Sequence, residues 1–407
     1  MTPRDYLRIY RYDERLVTGA YYSTEPLLIE TGDTVGVVLF NLGGPRNLDE
    51  IEPFLYNLFM DPAIIDIPLK GALRDILCRF VARNRSKSVR ERYALIGGAS
   101  PINPHTERQA ELLEKRLNQE LGESLSVRFK VYRAMRYAQP SSEQAAIDMR
   151  ADGVTKVVLL PLYPHYSKST TGASLGYWRA LEEAETVPAL PTVSVYEYAA
   201  HPVYVRAINA RIEETLERFP KENRENVQLL FSAHGTPVKE MTVRKDPYCC
   251  LVHATVDEVM RLRGFDLPYE VAFQSKVGRA EWLTPSTPDA LQKMAECGVK
   301  NVLVIPVAFV SDHVETAFEL DIEVRAEAEE AGIERFEVMT GLNDHPLFIE
   351  TLFDVTRRHL ALPEYVDLER SSGPPAALAE RRTKCHQCRN NAVAYDWAAR
   401  TRVPATD

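Results

Sequence analysis

The feature that most constrains this chain is a repeat. Val37-Val-Leu-Phe-Asn-Leu-Gly-Gly-Pro45 is matched by Leu229-Leu-Phe-Ser-Ala-His-Gly-Thr-Pro237, and Val157-Val-Leu-Leu-Pro-Leu-Tyr163 by Val302-Leu-Val-Ile-Pro-Val-Ala308. In each copy an apolar run empties into a Gly/Pro turn, and a later run carries proline at its fifth place. Short apolar runs that alternate with amphipathic segments describe strands buried on both faces, hence parallel sheets covered by helices. The fold class predicted is α/β: two similar Rossmann-like, doubly wound lobes facing each other across a cleft.

Strands are expected at Val35–Asn41, Val127–Tyr132, Lys156–Leu162, Thr192–Tyr196, Val227–Ser232, Tyr269–Gln274, Asn301–Val307 and Phe336–Met339. Helices are expected at Pro104–Leu121, Ser142–Asp152, Pro202–Phe219, Pro247–Leu262, Pro288–Cys297, Val314–Glu330 and Pro346–Leu360. The third of these shows its buried stripe at Val205, Ile208, Ile212 and Leu216. The organisation predicted is an extension at 1–33, a first lobe at 34–193, a second at 194–362 and a tail at 363–407. Pro45 and Pro161 lie 116 residues apart but Pro237 and Pro306 only 69, so the first lobe holds an insertion, for which 51–93 is the obvious segment.

A net charge of −9 argues against a general nucleic-acid binder, which needs a basic surface. No run approaches the ~20 apolar residues that span a bilayer, and no apolar segment of the signal-peptide kind follows Arg4. A cytoplasmic protein is expected. Six cysteines in 407 residues are too few for a disulfide scaffold.

Ligands of open α/β sheets collect beyond the carboxyl ends of the strands, so residues just past those ends come first. His234 follows the run that ends at Phe231. A histidine there can bind a borderline metal, take a proton near neutral pH, or simply bond its own turn. In the segment 309–323, Ser311 or Asp312 is a natural N-cap, and Glu315, Glu319 and Glu323 follow at i, i+4 and i+8 on one helix face. The helix dipole accounts for Glu315 but not for the other two, which repel one another by a few tenths of a kcal/mol. A solvated face is the commoner origin of such a stripe; a track for a cation is the reading favoured here. After Gln274, Lys276 or Arg279 is available for an anion and Trp282 for a flat ligand, with core packing the default for tryptophan. In the insertion, Phe54, Leu55, Leu58, Phe59, Met60, Ile64, Ile65 and Ile67, then Leu73, Ile76, Leu77, Phe80 and Val81 at helical spacing, are flanked by Lys70, Arg74, Arg79, Arg83, Arg85 and Lys87. That pattern is either a helical hairpin packed on its lobe or an apolar lip with a basic rim, able to rest on an anionic membrane.

Six motifs resemble, in order and over about 35–360, those of the ferrochelatase family: Asn41-Leu-Gly-Gly-Pro45, Ile96-Gly-Gly-Ala-Ser-Pro-Ile102, Tyr163-Pro-His-Tyr-Ser-Lys-Ser-Thr-Thr-Gly172, Ser232-Ala-His-Gly-Thr-Pro237, Gln274-Ser-Lys-Val-Gly278 and Ser311-Asp-His-Val-Glu-Thr316. The resemblance implies an enzyme that inserts ferrous iron, its substrate, into protoporphyrin IX to form protohaem. It implies further that His234 and Glu315 form the iron site and that Asp312, His313 and Glu319 form an acidic path to it. Arg85, Tyr93 and Ser100 match positions that hold the propionates, Arg136 and Trp282 match pocket-shaping positions, and Tyr163 lies on the pocket wall. Leu42 stands where relatives that use coproporphyrin carry tyrosine, which favours protoporphyrin. Peripheral contact with the inner membrane is expected through the lip.

Lys384-Cys-His-Gln-Cys388 has the spacing of a zinc or iron–sulfur pair. Some members of the family carry a [2Fe–2S] cluster on four cysteines, three of them in such a tail. Here the third tail position is Val393 and the distal one Lys168, so a cluster on Cys385 and Cys388 lacks two ligands and stays open. Two rivals are also open: a chelatase for cobalt, nickel or coproporphyrin, and a tetrapyrrole- or metal-binding protein without turnover. The sequence leaves monomer and homodimer undecided.

Overall fold

The computed structural model describes residues 1–362 apart from 66, 68, 277 and 279. The apolar runs become strands β1 Thr34–Asn41, β2 Arg128–Met135, β3 Lys156–Pro161, β4 Thr192–Ser194, β5 Val227–His234, β6 Tyr269–Gln274, β7 Asn301–Pro306 and β8 Arg335–Val338. They build two four-stranded sheets, ordered β2-β1-β3-β4 and β6-β5-β7-β8, with every pairing parallel. Val37, Val38 and Leu39 in β1 and Leu229, Leu230 and Phe231 in β5 are fully buried, as central strands covered on both faces require. The α/β class and the two similar sheets agree with the expectation from the repeat.

The repeat extends to the register. Phe40 pairs with Pro161 and its counterpart Ser232 with Pro306. The next residue then bonds back in the same way: Leu162 N–H donates to the Phe40 carbonyl at 2.8 Å and Val307 N–H to the Ser232 carbonyl at 3.0 Å.

The chain divides into two compact units. The first holds 1–197, 311–314 and 343–362, and the second 198–310 and 315–342. The last helix, Pro346–Arg358, therefore lies with the first sheet, whereas its place in the sequence had grouped it with the second. There Glu350 pairs with Arg116 at 3.1 Å and Phe353 lies under the same guanidinium.

Residues 1–33, which show no period, fold as α1 Pro3–Ile9 and α2 Arg15–Thr18 onto the first unit. Tyr6 joins the core of Phe40, Leu175, Tyr177 and Trp178, and Ser23 bridges Val193 beside β4. The insertion forms α3 Ile51–Met60 and α4 Gly71–Leu95, closed over Ile51, Leu55, Ala82 and Tyr93. Buried Arg74 joins the two ends of the hairpin, donating to the carbonyls of Phe59 at 3.1 Å, Asp61 at 3.2 Å and Ile65 at 2.8 Å. Asp75 accepts from Tyr56 at 2.5 Å, from Arg79 at 3.1 Å and from Arg4, which ties α1 to α4. On the outer face of α4, Leu73, Ile76 and Phe80 are 66%, 64% and 63% exposed. The hairpin is thus packed inside and apolar outside. No described helix is long and apolar enough to cross a membrane.

Candidate active site

In the second unit β5 delivers His234 to its carboxyl end, with the side chain 41% exposed. Its Nδ1 lies 2.9 Å from Glu315 Oε2. Tyr248 donates to the His234 carbonyl at 3.0 Å, and the Phe309 ring meets the imidazole edge-on at 6.3 Å between centroids. The next residue must be glycine. A Cβ on Gly235 would stand 2.7 Å from the Gln274 carbonyl and 3.2 Å from the Trp282 ring, so Trp282 packs directly on the strand end that carries the histidine.

Glu315 opens a helix, but not the α-helix that the spacing predicted. Glu315–Val324 is a π-helix, which continues as the α-helix Arg325–Ala331. A period of four fits either form, so the spacing did not discriminate between them. The expected caps are engaged elsewhere. Ser311 Oγ accepts from Gln109 at 2.9 Å, while Asp312 and Asn343 bond reciprocally, Asp312 N–H to Asn343 Oδ1 at 3.0 Å and Asn343 Nδ2 to Asp312 Oδ2 at 2.7 Å. His313 is buried; Glu319 and Glu323 are half-buried.

Two residues that sequence reasoning gave no role complete the cluster. Ser275 Oγ lies 2.8 Å from both Glu319 oxygens and 3.3 Å from Glu315 Oε2, and Gln274 Nε2 lies 3.5 Å from that same oxygen. Their advance signals were their place at a strand end and the motif Gln274-Ser-Lys-Val-Gly278. Burial lowers the pKa of the His234 ring, but Glu315 and then Glu319 outweigh it and hold the imidazole above its ordinary value. Burial, then the charge of Glu315, raises the Glu319 carboxyl, with Ser275 pulling the other way. The cluster can accept a proton on the ring and present carboxylate oxygen to a cation.

The remaining residues implied by the resemblance lie in the first unit, Trp282 and the tail cysteines apart. Leu42 follows β1, half-buried, its N–H on Asn41 Oδ1 at 2.8 Å. Ser100 is buried against the Gly43-Gly44 turn so closely that a Cβ on Gly44 would lie 2.4 Å from its own. Tyr93 is buried in the hairpin, Arg85 is exposed on α4, and Tyr163 is half-buried just past β3. Arg136 is not a free cation. Its guanidinium pairs with Asp61 at 2.7 Å and is stacked by Tyr177 at 3.9 Å and by Tyr6 and Tyr137 at 5.1 Å. It lines a cavity of about 390 Å³ with Pro45, Phe54, Met60, Tyr137 and Gln139. In the other unit Lys276 is exposed. Arg279, Cys385 and Cys388 lie outside the described residues.

A family model described as Ferrochelatase matches residues 34–360. The ferrochelatase of Synechococcus sp. (strain RCC307) is 40% identical over 343 residues, 84% of this chain and 86% of that protein. The ferrochelatase of a Synechocystis species is 42% identical over 322 residues, 78% and 80% of the two chains. Among solved structures, SirB from Bacillus subtilis with Fe3+ matches with a TM-score of 0.45 at 12% identity, covering 81% of this chain and 96% of that one.

Proposed function

The chain belongs to the ferrochelatase family, and from that premise we propose that it inserts Fe2+ into protoporphyrin IX with His234 and Glu315 at the reacting centre. The observation that carries this reading is the 2.9 Å bond between the His234 ring and Glu315, at a strand end with Glu319 close by. Insertion breaks two pyrrole N–H bonds as iron bonds to the nitrogens, and two protons must leave. An ionised Glu315 orients the neutral ring with its hydrogen on Nδ1, so the Nε2 lone pair is free to receive a proton or hold the metal. After protonation, the imidazolium is stabilised by the same two carboxylates that raise its pKa. Glu319 supplies further oxygen to a cation in transit, and Asp312 and His313 precede it on the path the metal takes.

Leu42, Arg85, Tyr93, Ser100, Tyr163 and Trp282 are assigned to the porphyrin. Arg136 shapes a wall and does not bind a propionate, since Asp61 already neutralises it. Leucine at position 42 favours protoporphyrin over coproporphyrin. Leu73, Ile76 and Phe80, ringed by Lys70, Arg79, Arg83 and Arg85, form a face suited to the anionic cytoplasmic surface of a membrane, where a greasy dianionic substrate collects. No step is assigned to an iron–sulfur cluster: Cys385 and Cys388 lie outside the described residues, and position 168 is a buried lysine.

The test is an anaerobic assay of the purified protein with Fe2+ and either protoporphyrin IX or coproporphyrin III, read as the haem spectrum. His234→Ala is expected to abolish turnover while the porphyrin still binds. A near-native rate in that variant sinks the assignment of His234, and faster turnover of coproporphyrin sinks the reading of Leu42.

A further inference from the structure

No step of the chemistry above is given to Ser275, although Gln274-Ser-Lys-Val-Gly278 stood out in the sequence. Ser275 is where the chain leaves the sheet, and its backbone sits at φ +63°, a left-handed conformation that favours glycine or asparagine and strains a serine. Such strain persists only where something over-determines it. Here the left-handed turn directs the Ser275 hydroxyl to within 2.8 Å of both Glu319 oxygens and 3.3 Å of Glu315 Oε2. The backbone N–H of the same residue also favours the charged form of Glu319.

Gln274 approaches Glu315 from the neighbouring position, and its orientation is set from behind. Ser232 Oγ, 2.9 Å from Thr287 Oγ1, donates to Gln274 Oε1 at 2.8 Å, which leaves the amide N–H groups for Glu315. Two carboxylates four residues apart on one helix repel each other. Unsupported, Glu319 gains by swinging away into water. The Ser275 hydroxyl is placed across both carboxylates.

We propose that Ser275 is a positioning residue of the metal site: its hydroxyl holds Glu319 beside Glu315, so that an incoming divalent cation meets a preassembled pair of carboxylates. The proposal rests on the reading of the site given above, and it concerns the hydroxyl, not the shape of the loop. Three variants separate those causes. Ser275→Ala removes the hydroxyl and keeps the strain. Ser275→Gly removes both. Ser275→Asn accepts the left-handed backbone and restores a donor.

Initial rates are measured anaerobically against Fe2+ at saturating protoporphyrin IX, beside Co2+ titrations without porphyrin followed by d–d absorption. The alanine and glycine variants are expected to raise the KM for iron and the Kd for Co2+ about tenfold, the scale of one hydrogen bond to a charged group. The porphyrin KM and kcat stay within about twofold, and the asparagine variant recovers most of the metal affinity. Native metal affinity in the glycine variant beside a loss in the alanine variant overturns the proposal in favour of backbone strain. Native affinity in all three overturns it outright while the native enzyme still makes haem. Absence of haem from the native enzyme is a failure of the family reading instead. Should the alanine variant not fold, the glycine and asparagine pair decides.

Discussion

Asp61 and Arg136 are 75 residues apart in sequence and form a buried ion pair at 2.7 Å, the side chains 1% and 9% exposed. Asp61 also accepts from the Tyr137 hydroxyl at 2.7 Å and from Ala63 N–H at 2.9 Å. Removing one member of such a pair strands the other charge and costs roughly 3–5 kcal/mol. When Asp61 goes, the three tyrosine rings around the guanidinium offset about 1–2 kcal/mol of that, while the Tyr137 hydroxyl and Ala63 N–H lose their acceptor, about 2–3 kcal/mol in all. Asp61→Leu is therefore expected about 5 kcal/mol below native and Arg136→Met about 4. The double variant strands no charge. It keeps only the loss of the acceptor for the Tyr137 hydroxyl and for Ala63 N–H, about 2–3 kcal/mol in all, against the ~9 kcal/mol that additivity demands. The assay is urea unfolding followed by tryptophan emission, read at the transition in which Trp178, fully buried in the first core, becomes exposed. A double variant within about 0.5 kcal/mol of the sum refutes the coupling. The same proteins test function: a double variant that regains stability but keeps a porphyrin KM raised about tenfold shows that Arg136 binds a propionate after all.

Three further outcomes follow from the same structure. A base that must be neutral to receive a pyrrole proton becomes available as pH rises through its pKa, which Glu315 and Glu319 hold above the ordinary histidine value. Glu315→Gln leaves burial less opposed, so the rising limb of kcat/KM is expected at lower pH, on a reduced plateau; a limb that stays put excludes His234 as that base. His165 is buried and its pKa lowered by burial to about 3, so between the unfolded value of ~6.5 and that point the unfolded chain binds a proton that the fold refuses. Its contribution is complete above pH 6.5 and falls by about 2 kcal/mol at pH 5, so His165→Gln is expected to lose that much less stability on acidification; equal losses in both proteins refute it. Replacing Ile76 and Phe80 with serine is expected to reduce flotation with anionic liposomes at low salt at least fivefold without changing turnover in detergent, and unchanged flotation removes the membrane from the account.

Legibility in the sequence followed the range of the interaction responsible. The eight strands were readable because a strand buried on both faces writes its burial directly into the chain, and the paired prolines at 161 and 306 fixed the equivalence of β3 and β7. His234 and Glu315 were readable as strand-end and helix-start residues. The π form of Glu315–Val324 was not, because glutamates every four residues suit two helical periods and tertiary contacts choose between them. The helix Ala173–Glu183 had its core face at Leu175, Trp178 and Leu181 but followed a run of Ser, Thr and Gly that reads as loop. The engagement of Arg136 was invisible because its partner arrives from the inserted hairpin, and the left-handed Ser275 was invisible because Gln-Ser-Lys carries no turn signal.

The repeat also bears on why the proposed chemistry falls at one sheet end and not at the other. Carried through the strand pairings, the equivalence sets Leu42 against His234, Arg136 against Gln274 and Tyr137 against Ser275. At the first sheet the polar groups cancel among themselves, since Asp61 accepts from both Arg136 and Tyr137. That acid belongs to the insertion between α3 and α4, which the second half lacks. At the second sheet Gln274 and Ser275 carry no charge; Gln274 directs a donor at Glu315, and Ser275 directs its hydroxyl at Glu319 and Glu315. These two donors hold the carboxylates without bringing a positive charge of their own, which suits a site that receives protons and a divalent metal. Placing a histidine at position 42 alone would not reproduce the site, because its neighbours there would be an arginine already neutralised and a tyrosine already bonded, with no second carboxylate to hold an imidazolium.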